Sequence, residues 1–279
     1  QNVLQNPETR IEAVKLLTEE EIAAIERWNS TEMNYPIHES VPSLFYKQVE
    51  LTPDAVAIIQ NDVEITYREL SDKIECLERL LIENGVAFGK RVAVCMERSV
   101  ESVACMLAIF KSGAVYVPLD PKYPPDRLLY IISDADVDII LTKSLYRKLL
   151  SQCGKRILFL DKKHREGNYS AQRKVPPILP DSALYIIYTS GSTGVPKGIV
   201  GKNRGLMNRL FWIWDTYPFE AEEICCHKIS TGFIDHLAEV FAPLLKGVPI
   251  VIFNSEKVKG VEDFCNVLID KKISRLIMT

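Results

Sequence analysis

The sequence has no apolar run near the roughly 18 residues that suggest a membrane span. Runs such as Val248 to Phe253 and Ile157 to Leu160 are far shorter, so no bilayer-crossing segment is expected. It also lacks a block of charge of one sign. The 34 Lys+Arg stand against 37 Asp+Glu for a formal net charge of −3, which argues against a general nucleic-acid binder relying on phosphate neutralisation. No cysteine pair has C-x-x-C spacing, and the seven cysteines are odd in number. A disulfide framework or a zinc site is therefore not expected, and no metal ligands are assigned. Cys95, Cys105 and Cys265 read as small hydrophobes, and adjacent Cys225 and Cys226 as buried side chains. Gln1 to Arg10 has no basic start followed by an apolar core, so it is not read as a secretory signal, and a cytoplasmic location is expected. Internal repeats and low-complexity tracts are missing too. What remains is ordinary globular composition, 47% hydrophobic and 25% charged over 279 residues, enough for one large domain or two smaller ones.

The first 17 residues have little apolar period and contain Pro7, and read as a linker. Thr18 with Glu21 forms a capping box before a helix carrying Ile22, Ile25 and Trp28, and Asn29 to Pro36 breaks it. Ala55–Ile59 and Glu64–Tyr67 predict a hairpin around Asn61 and Asp62. A second capping box, Thr66 with Glu69, then opens a helix ending near Gly85. From there strands and helices alternate: strand Arg91–Met96, helix Ser99–Ser112 stopped by Gly113, strand Val115–Leu119, helix Pro125–Ala135, strand Asp138–Thr142, a helix from Ser144, and strand Arg156–Leu160. Repeated β-α-β units with continuous apolar strands imply an α/β protein, with parallel sheets covered by helices on both faces. The polar, proline-bearing segment 161–180 is expected to be a surface loop or a boundary between two halves of the sheet. Ile273 to Met278 reads as a buried strand.

The strand Leu184–Tyr188 runs into Thr189-Ser190-Gly191-Ser192-Thr193-Gly194-Val195-Pro196-Lys197-Gly198. Glycines let backbone approach a ligand closely, hydroxyls offer donors, and Lys197 adds a charge on a flexible stem. Such a loop suits an oxyanion. It is not a P-loop, because Lys197 is followed by Gly198 rather than a helix-opening Ser or Thr. A Ser/Gly linker is the structural alternative, but a linker needs neither the Pro-Lys-Gly ending nor the apolar strand before it.

Tyr188 to Gly198, YTSGSTGVPKG, resembles the phosphate-binding signature of the adenylate-forming superfamily: acyl-CoA synthetases, luciferases and the adenylation domains of nonribosomal peptide synthetases. Ile65-Thr66-Tyr67-Arg68-Glu69-Leu70, the stretch from Phe110 to Pro121, and Leu16 to Glu21 leading to Trp28-Asn29 resemble the peptide-synthetase branch. The resemblance implies a luciferase-like and acyl-CoA-synthetase-like N-terminal subdomain, truncated, with residues 1–17 a linker after a condensation domain and 18–279 the front of the domain. It implies a ligase that uses ATP and Mg²⁺ to make an acyl-adenylate and passes the acyl group to a carrier-protein phosphopantetheine thiol. By the same resemblance, Lys197, Thr189 and Thr193 are catalytic, and Thr189, Ser190, Gly191, Ser192, Thr193, Gly194 and Lys197 hold the nucleotide phosphates.

Peptide-synthetase domains carry a segment F-D-x-S-x-x-E whose Asp pairs with the substrate α-amino group. Here it reads Phe233-Ile234-Asp235-His236-Leu237-Ala238-Glu239. Phe233 and Glu239 keep their places, Ile234 occupies the usual Asp position, and the acid lies one residue later. On a helix Ile234, Asp235 and Ala238 would share a face, so Phe233, Ile234, Asp235 and Ala238 are the expected substrate-binding residues. A displaced acid suits an amine one carbon farther from the carboxylate, a β-amino acid such as β-alanine; an α-amino acid bound after a local shift, or a substrate without an amine, remains an alternative. His236 reads as a packed histidine, Glu239 as a structural hydrogen-bonding residue, Asn203 as standing where relatives often have His, and Trp212, Trp214 and Tyr217 as a helix's packing face.

The resemblance covers Leu16 to Thr279 and lacks the later family segments that supply the acid for Mg²⁺, the ribose-binding acid, most of the pocket and a C-terminal lysine. The chain alone is therefore expected to be inactive. Expected partners are the amino-acid substrate, a carrier domain, a neighbouring condensation domain and an MbtH-like protein, with no nucleic acid and no membrane. An acyl- or aryl-CoA ligase and a non-catalytic interaction domain are the competing classes.

Overall fold

The computed structural model describes residues 10, 12, 16–162, 177–190, 194–253 and 260–278. The chain divides into two compact units, Gln1–Pro36 and Ile37–Thr279. In the first, helix α1 (Glu19–Asn29) starts at the expected capping box: the Glu21 amide donates to Thr18 Oγ1 at 3.2 Å, and the Thr18 amide to Glu21 Oε2 at 2.7 Å. It buries none of its residues, and Trp28 is 75% exposed. Most of the expected linker 1–17 lies outside the described residues.

The second unit opens with helix α2 (Val41–Leu51) and the hairpin β1 (Val56–Gln60) and β2 (Val63–Thr66). Asn61 and Asp62 both take positive φ, 49° and 67°, the geometry a two-residue turn needs to match strand twist. Helix α3 (Tyr67–Glu83) begins at Thr66, whose hydroxyl and backbone trade hydrogen bonds with Glu69, and Gly85 turns the chain beyond its end at φ 82°. Next come β3 (Arg91–Cys95), α4 (Val100–Lys111), β4 (Val115–Leu119), α5 (Pro125–Asp134), β5 (Ile139–Thr142) and β6 (Arg156–Phe159). After residues 163–176, which lie outside the described set and hold most of the expected boundary segment, follow β7 (Ala183–Thr189), β8 (Lys197–Lys202), α6 (Asn203–Thr216), β9 (Cys225–His227), α7 (Asp235–Leu244), β10 (Ile250–Ile252) and α8 (Val261–Asp270).

Two sheets result. The larger has strand order β6-β5-β3-β4-β7-β8 and is parallel except for its edge, where β8 runs antiparallel to β7. The smaller has order β2-β1-β10-β9, with β1, β10 and β9 parallel and β2 antiparallel to β1. Helix α4 is mostly apolar, with Glu101 and Lys111 near its ends, and buries ten of its twelve residues, as a helix largely enclosed by other layers does. It packs on β3 and β4, while the Val100 amide donates to Gln60 Oε1 at the end of β1, 2.8 Å away. The α/β reading with parallel sheets holds.

Several local expectations do not. The helix from Ser144 is only a single 3-10 turn, Ser144–Tyr146. Its Ser144 amide and hydroxyl are held by the Asp161 carboxylate, turns follow over 147–152, and Gly154 takes φ 61° shortly before β6. Ile273 to Met278 forms no strand. It touches β9 through one bridge, Arg275 with Cys225, and Met278 is 72% exposed. The Arg275 side chain holds the segment instead, bonding Glu223 and the carbonyls of Tyr217 and Pro218. All seven cysteines are free; Cys225 and Cys226 are buried as expected, but Cys265 is exposed on α8. Trp212 and Tyr217 are 48% and 57% exposed and meet edge-on, whereas Trp214 packs as expected, half-buried and donating to the Ala242 carbonyl at 2.8 Å; Leu206, Met207 and Leu210 are the buried apolar residues of α6.

Candidate functional site

The hydroxyl-rich loop joins β7 to β8 at the edge of the larger sheet. Thr189 ends β7 and pairs across the ladder with Lys197, the first residue of β8. The loop thus springs from a closed ladder, a narrow base that sets the distance between its two arms. Thr189, Ser190, Gly194 and Lys197 are exposed, and the side chains of Thr189, Ser190 and Lys197 have no partner among the described residues. Gly194 lies at φ 80°, backbone that a residue with a Cβ rarely adopts. Gly191, Ser192 and Thr193 lie outside the described residues. An anion arriving here meets hydroxyl donors and an ammonium not already engaged by the protein, so the chemistry of the donors fits a polyphosphate.

Gly198 serves a different need from ligand approach. A Cβ there would stand 2.9 Å from Tyr188 Cζ, and one at Gly201 only 1.8 Å from Tyr185 Cζ. Both glycines make β8 thin enough for the β7 tyrosines to lie across it. Helix α5 braces the same hairpin. Tyr188 donates to Asp134 Oδ2 at 2.6 Å, Tyr130 donates to the Pro196 carbonyl at 3.1 Å, and the two tyrosine rings meet edge to face at 6.3 Å. Burial, followed by the Asp134 hydrogen bond, raises the Tyr188 pKa, which keeps the phenol a donor. Tyr130 and Asp134 were invisible as site residues in the sequence, because nothing local marks a residue that braces a distant hairpin.

The second expected site lies at the start of α7. Phe233 is exposed, Ile234 and Asp235 are half-buried, and Ala238 is buried. Ile234 occupies the N-cap with helical dihedrals and no side-chain cap bond, and Asp235 is the first helical residue, where a carboxylate complements the helix dipole. Ala238 borders a slot of about 50 Å³ with Ile213, Phe219 and Cys226; Phe233, Ile234 and Asp235 do not line it. The shared helical face therefore does not bring Ile234, Asp235 and Ala238 into one described cavity. Asp235 instead receives a hydrogen bond on Oδ1 from Arg209 Nη2 of α6, a residue that the sequence does not mark because its partner lies on another helix.

Glu239 and His236 behave as structural residues. Buried Glu239 Oε2 accepts from the backbone amides of Lys228 and Ile229, each at 2.9 Å, and faces His227 Nδ1 at 2.8 Å, fastening the end of β9 to α7. Burial lowers the His227 pKa more than the Glu239 contact raises it. His236 Nδ1 lies 2.6 Å from the Phe233 carbonyl; a carbonyl only accepts, so Nδ1 carries the proton. Burial pushes the His236 pKa down to about 3, so the ring is neutral and packs beside Tyr116 at 5.9 Å. Asn203 is fully buried and donates to the Glu39 carbonyl at 2.8 Å, a structural use.

A cavity of about 220 Å³ opens at the carboxyl ends of strands from both sheets, bordered by Gln60, Arg98, Asp120, Lys143, Ser230 and Phe253. Ser230 donates to Asp120 Oδ2 at 2.6 Å across it, tying the approach to α7 to the end of β4. Crevices beyond the carboxyl ends of parallel strands are where open α/β sheets bind ligands. Among the described residues no group of three or more His, Cys, Asp or Glu is arranged to hold a metal ion, and no helix is long and apolar enough to cross a membrane.

Comparison with known proteins places this geometry among relatives. The sequence family described as AMP-binding enzyme matches residues 45–274. Gramicidin S synthase 2 of Brevibacillus brevis is 34% identical over 260 residues, 92% of this chain and 6% of that protein. Tyrocidine synthase 3 of Brevibacillus parabrevis is 34% identical over 254 residues, 90% of this chain and 4% of that protein. The chain thus spans a small fraction of the curated relatives it matches. Among solved structures, the AMPPNP-bound form of the nonribosomal peptide synthetase FmoA3 has a TM-score of 0.81 at 26% identity, over 92% of this chain and 27% of that one. NpsA-ThdA, an artificially fused adenylation–PCP di-domain from Klebsiella oxytoca, has a TM-score of 0.74 at 26% identity, over 86% of this chain and 47% of that one.

Proposed function

Because the chain belongs to the AMP-binding enzyme family, which the matched peptide synthetases place among adenylate-forming ligases, we propose that it activates an amino acid with ATP as part of a longer synthetase. A substrate carboxylate oxygen attacks the α-phosphorus of ATP, the bond to the bridging oxygen breaks, and pyrophosphate leaves with the negative charge. A phosphopantetheine thiol on a carrier domain then attacks the acyl carbon and AMP departs. The observation that carries this reading is the loop between β7 and β8, with Lys197 and the hydroxyls of Thr189 and Ser190 exposed and, among the described residues, without side-chain partners. Ser192, Thr193 and the amides of Gly191 and Gly194 complete the donor set in this reading. Donors aimed at the departing pyrophosphate bind the transition state more tightly than the ground state, and each contributes roughly 3 kcal/mol.

Mg²⁺ is implied by the family, but the described residues supply no cluster for it, so no step is routed through the metal. The carrier-domain partner is supported by NpsA-ThdA, a structural relative that joins an adenylation domain to a PCP. A neighbouring condensation domain, an MbtH-like helper and a cytoplasmic setting, where ATP is supplied, complete the assembly-line reading. The same reading takes residues 1–17 as the linker, 18–279 as the front of the large adenylation subdomain, and 161–180 as an internal boundary.

For the substrate, the reading is a β-amino acid such as β-alanine. Ile234 replaces the acid expected at its position, and Asp235 presents its carboxylate one residue farther along the helix start. An ammonium leaving water must be paired, so the place of the acid selects the place of the amine. Phe233 and Ile234 precede the acid as its apolar neighbours in the chain, while Ala238 borders the separate slot beside α6. The test is ATP–pyrophosphate exchange by the full-length synthetase over α-amino, β-amino, hydroxy and aryl acids. Strong exchange with β-alanine and weak exchange with alanine is expected; exchange confined to α-amino acids removes the β-amino reading, and exchange with none of them removes amino-acid activation.

A further inference from the structure

Arg209 is the one cation that touches Asp235 among the described residues. It sits on α6 about 9 Å of helix rise beyond the end of β8, on an element continuous with the phosphate-loop hairpin. Its charge also reaches Tyr185 in the middle of β7: burial raises that phenol's pKa and Arg209 pulls it back. One side chain thus lies between the strand that leads into the loop and the first turn of the helix that bears the acid. The Asp235 and Arg209 side chains are 25% and 39% exposed, so the pair is partly screened from water yet open to a small molecule.

The guanidinium occupies Oδ1 of Asp235, and Oδ2 has no hydrogen-bond partner among the described residues. An unpartnered aspartate could swing between rotamers and offer either oxygen. Held on Oδ1 by one hydrogen bond from the guanidinium fork, it turns its other oxygen in one direction. We propose that Arg209 is a positioning residue for substrate selection: it holds Asp235 so that Oδ2 receives the amine, and its own charge repels an amine approaching from the Oδ1 side. This inference rests on the reading of Asp235 as the amine anchor. It names a determinant that the helix sequence alone does not contain, since Arg209 discriminates by geometry without touching the substrate.

The test uses the full-length synthetase and exchange kinetics with β-alanine and alanine. Arg209→Met keeps an unbranched apolar stem without the charge or hydrogen bonds. It is expected to raise KM for β-alanine at least fivefold and narrow the preference over alanine by a similar factor, while kcat changes less than twofold and KM for ATP stays put. Arg209→Lys, retaining charge without the fork, should fall between wild type and Arg209→Met. In an Asp235→Asn background the Met substitution should add nothing, as expected of two residues acting as a unit. Thermal melts identify a variant that has lost its fold, and Arg209→Lys then decides. If Asp235→Asn raises KM for β-alanine but Arg209→Met leaves it unchanged or lowers it, the positioning role is overturned and the anchor survives. If Asp235→Asn itself leaves KM unchanged, both are overturned.

Discussion

The Asp134 carboxylate accepts the Tyr188 hydroxyl at 2.6 Å, tying helix α5 to the strand that leads into the phosphate loop. The loop's described residues make few bonds, so its placement depends on this brace and on Tyr130 holding the Pro196 carbonyl. Tyr188→Phe removes the bond and leaves the ring. Stability is expected to fall by about 1–2 kcal/mol in urea melts, and KM for ATP in the full-length synthetase should rise with little change in kcat.

Lys197 is exposed at the mouth of the same loop and has no protein partner among the described residues, so its removal should cost function without costing the fold. Lys197→Ala is expected to lower pyrophosphate exchange about 10²- to 10³-fold while the melting temperature stays within error. Unchanged exchange would take the lysine out of the mechanism.

Gly201 is fixed by its neighbour. A methyl group there would meet Tyr185 Cζ at 1.8 Å, and overpacking of that kind costs about 1–3 kcal/mol. Gly201→Ala should destabilise the chain by that amount in denaturant titrations. Combining it with Tyr185→Ala should give a smaller loss than the two singles added, a coupling that identifies the ring as the cause.

The buried histidines give stability a pH dependence. His236 has a folded pKa of about 3 against an ordinary value of 6.5, and burial lowers His227 in the same direction. A histidine with a depressed folded pKa contributes stability fully above the unfolded value and loses it as pH falls below that value. Between pH 6.5 and 5, above the range where ordinary carboxylates titrate, His236 is expected to remove up to about 1.4 kcal/mol per pH unit, with His227 acting in the same direction. Urea melts of wild type and His236→Phe over this interval check it: the variant's slope should be shallower.

The sequence made legible whatever rests on neighbours in the chain. Thr18 with Glu21 and Thr66 with Glu69 are reciprocal bonds three residues apart, and the glycine stops at Gly85 and Gly113 are local dihedral requirements. The alternating elements announced parallel sheets. What stayed hidden depends on pairs far apart in the chain: the smaller sheet exists because Ile58 meets Ile250, the loop brace because Tyr188 meets Asp134, and the occupied Oδ1 because α6 brings Arg209 to Asp235. Gly198, read as making room for a ligand, makes room for Tyr188. Ile273 to Met278 looked like a strand from its apolar content, yet strand formation needs a partner edge, and among the described residues it forms a single bridge, Arg275 with Cys225, beside bonds to Ile224.

Helix α4 lies against the strands of one sheet and bonds the end of a strand of the other, and Phe110 near its end touches Phe241 of α7 at 5.8 Å. A keystone of this kind leaves neither half of the second unit free to melt by itself. Heating should therefore dismantle the nucleotide grip and the selecting helix together, in a single calorimetric peak.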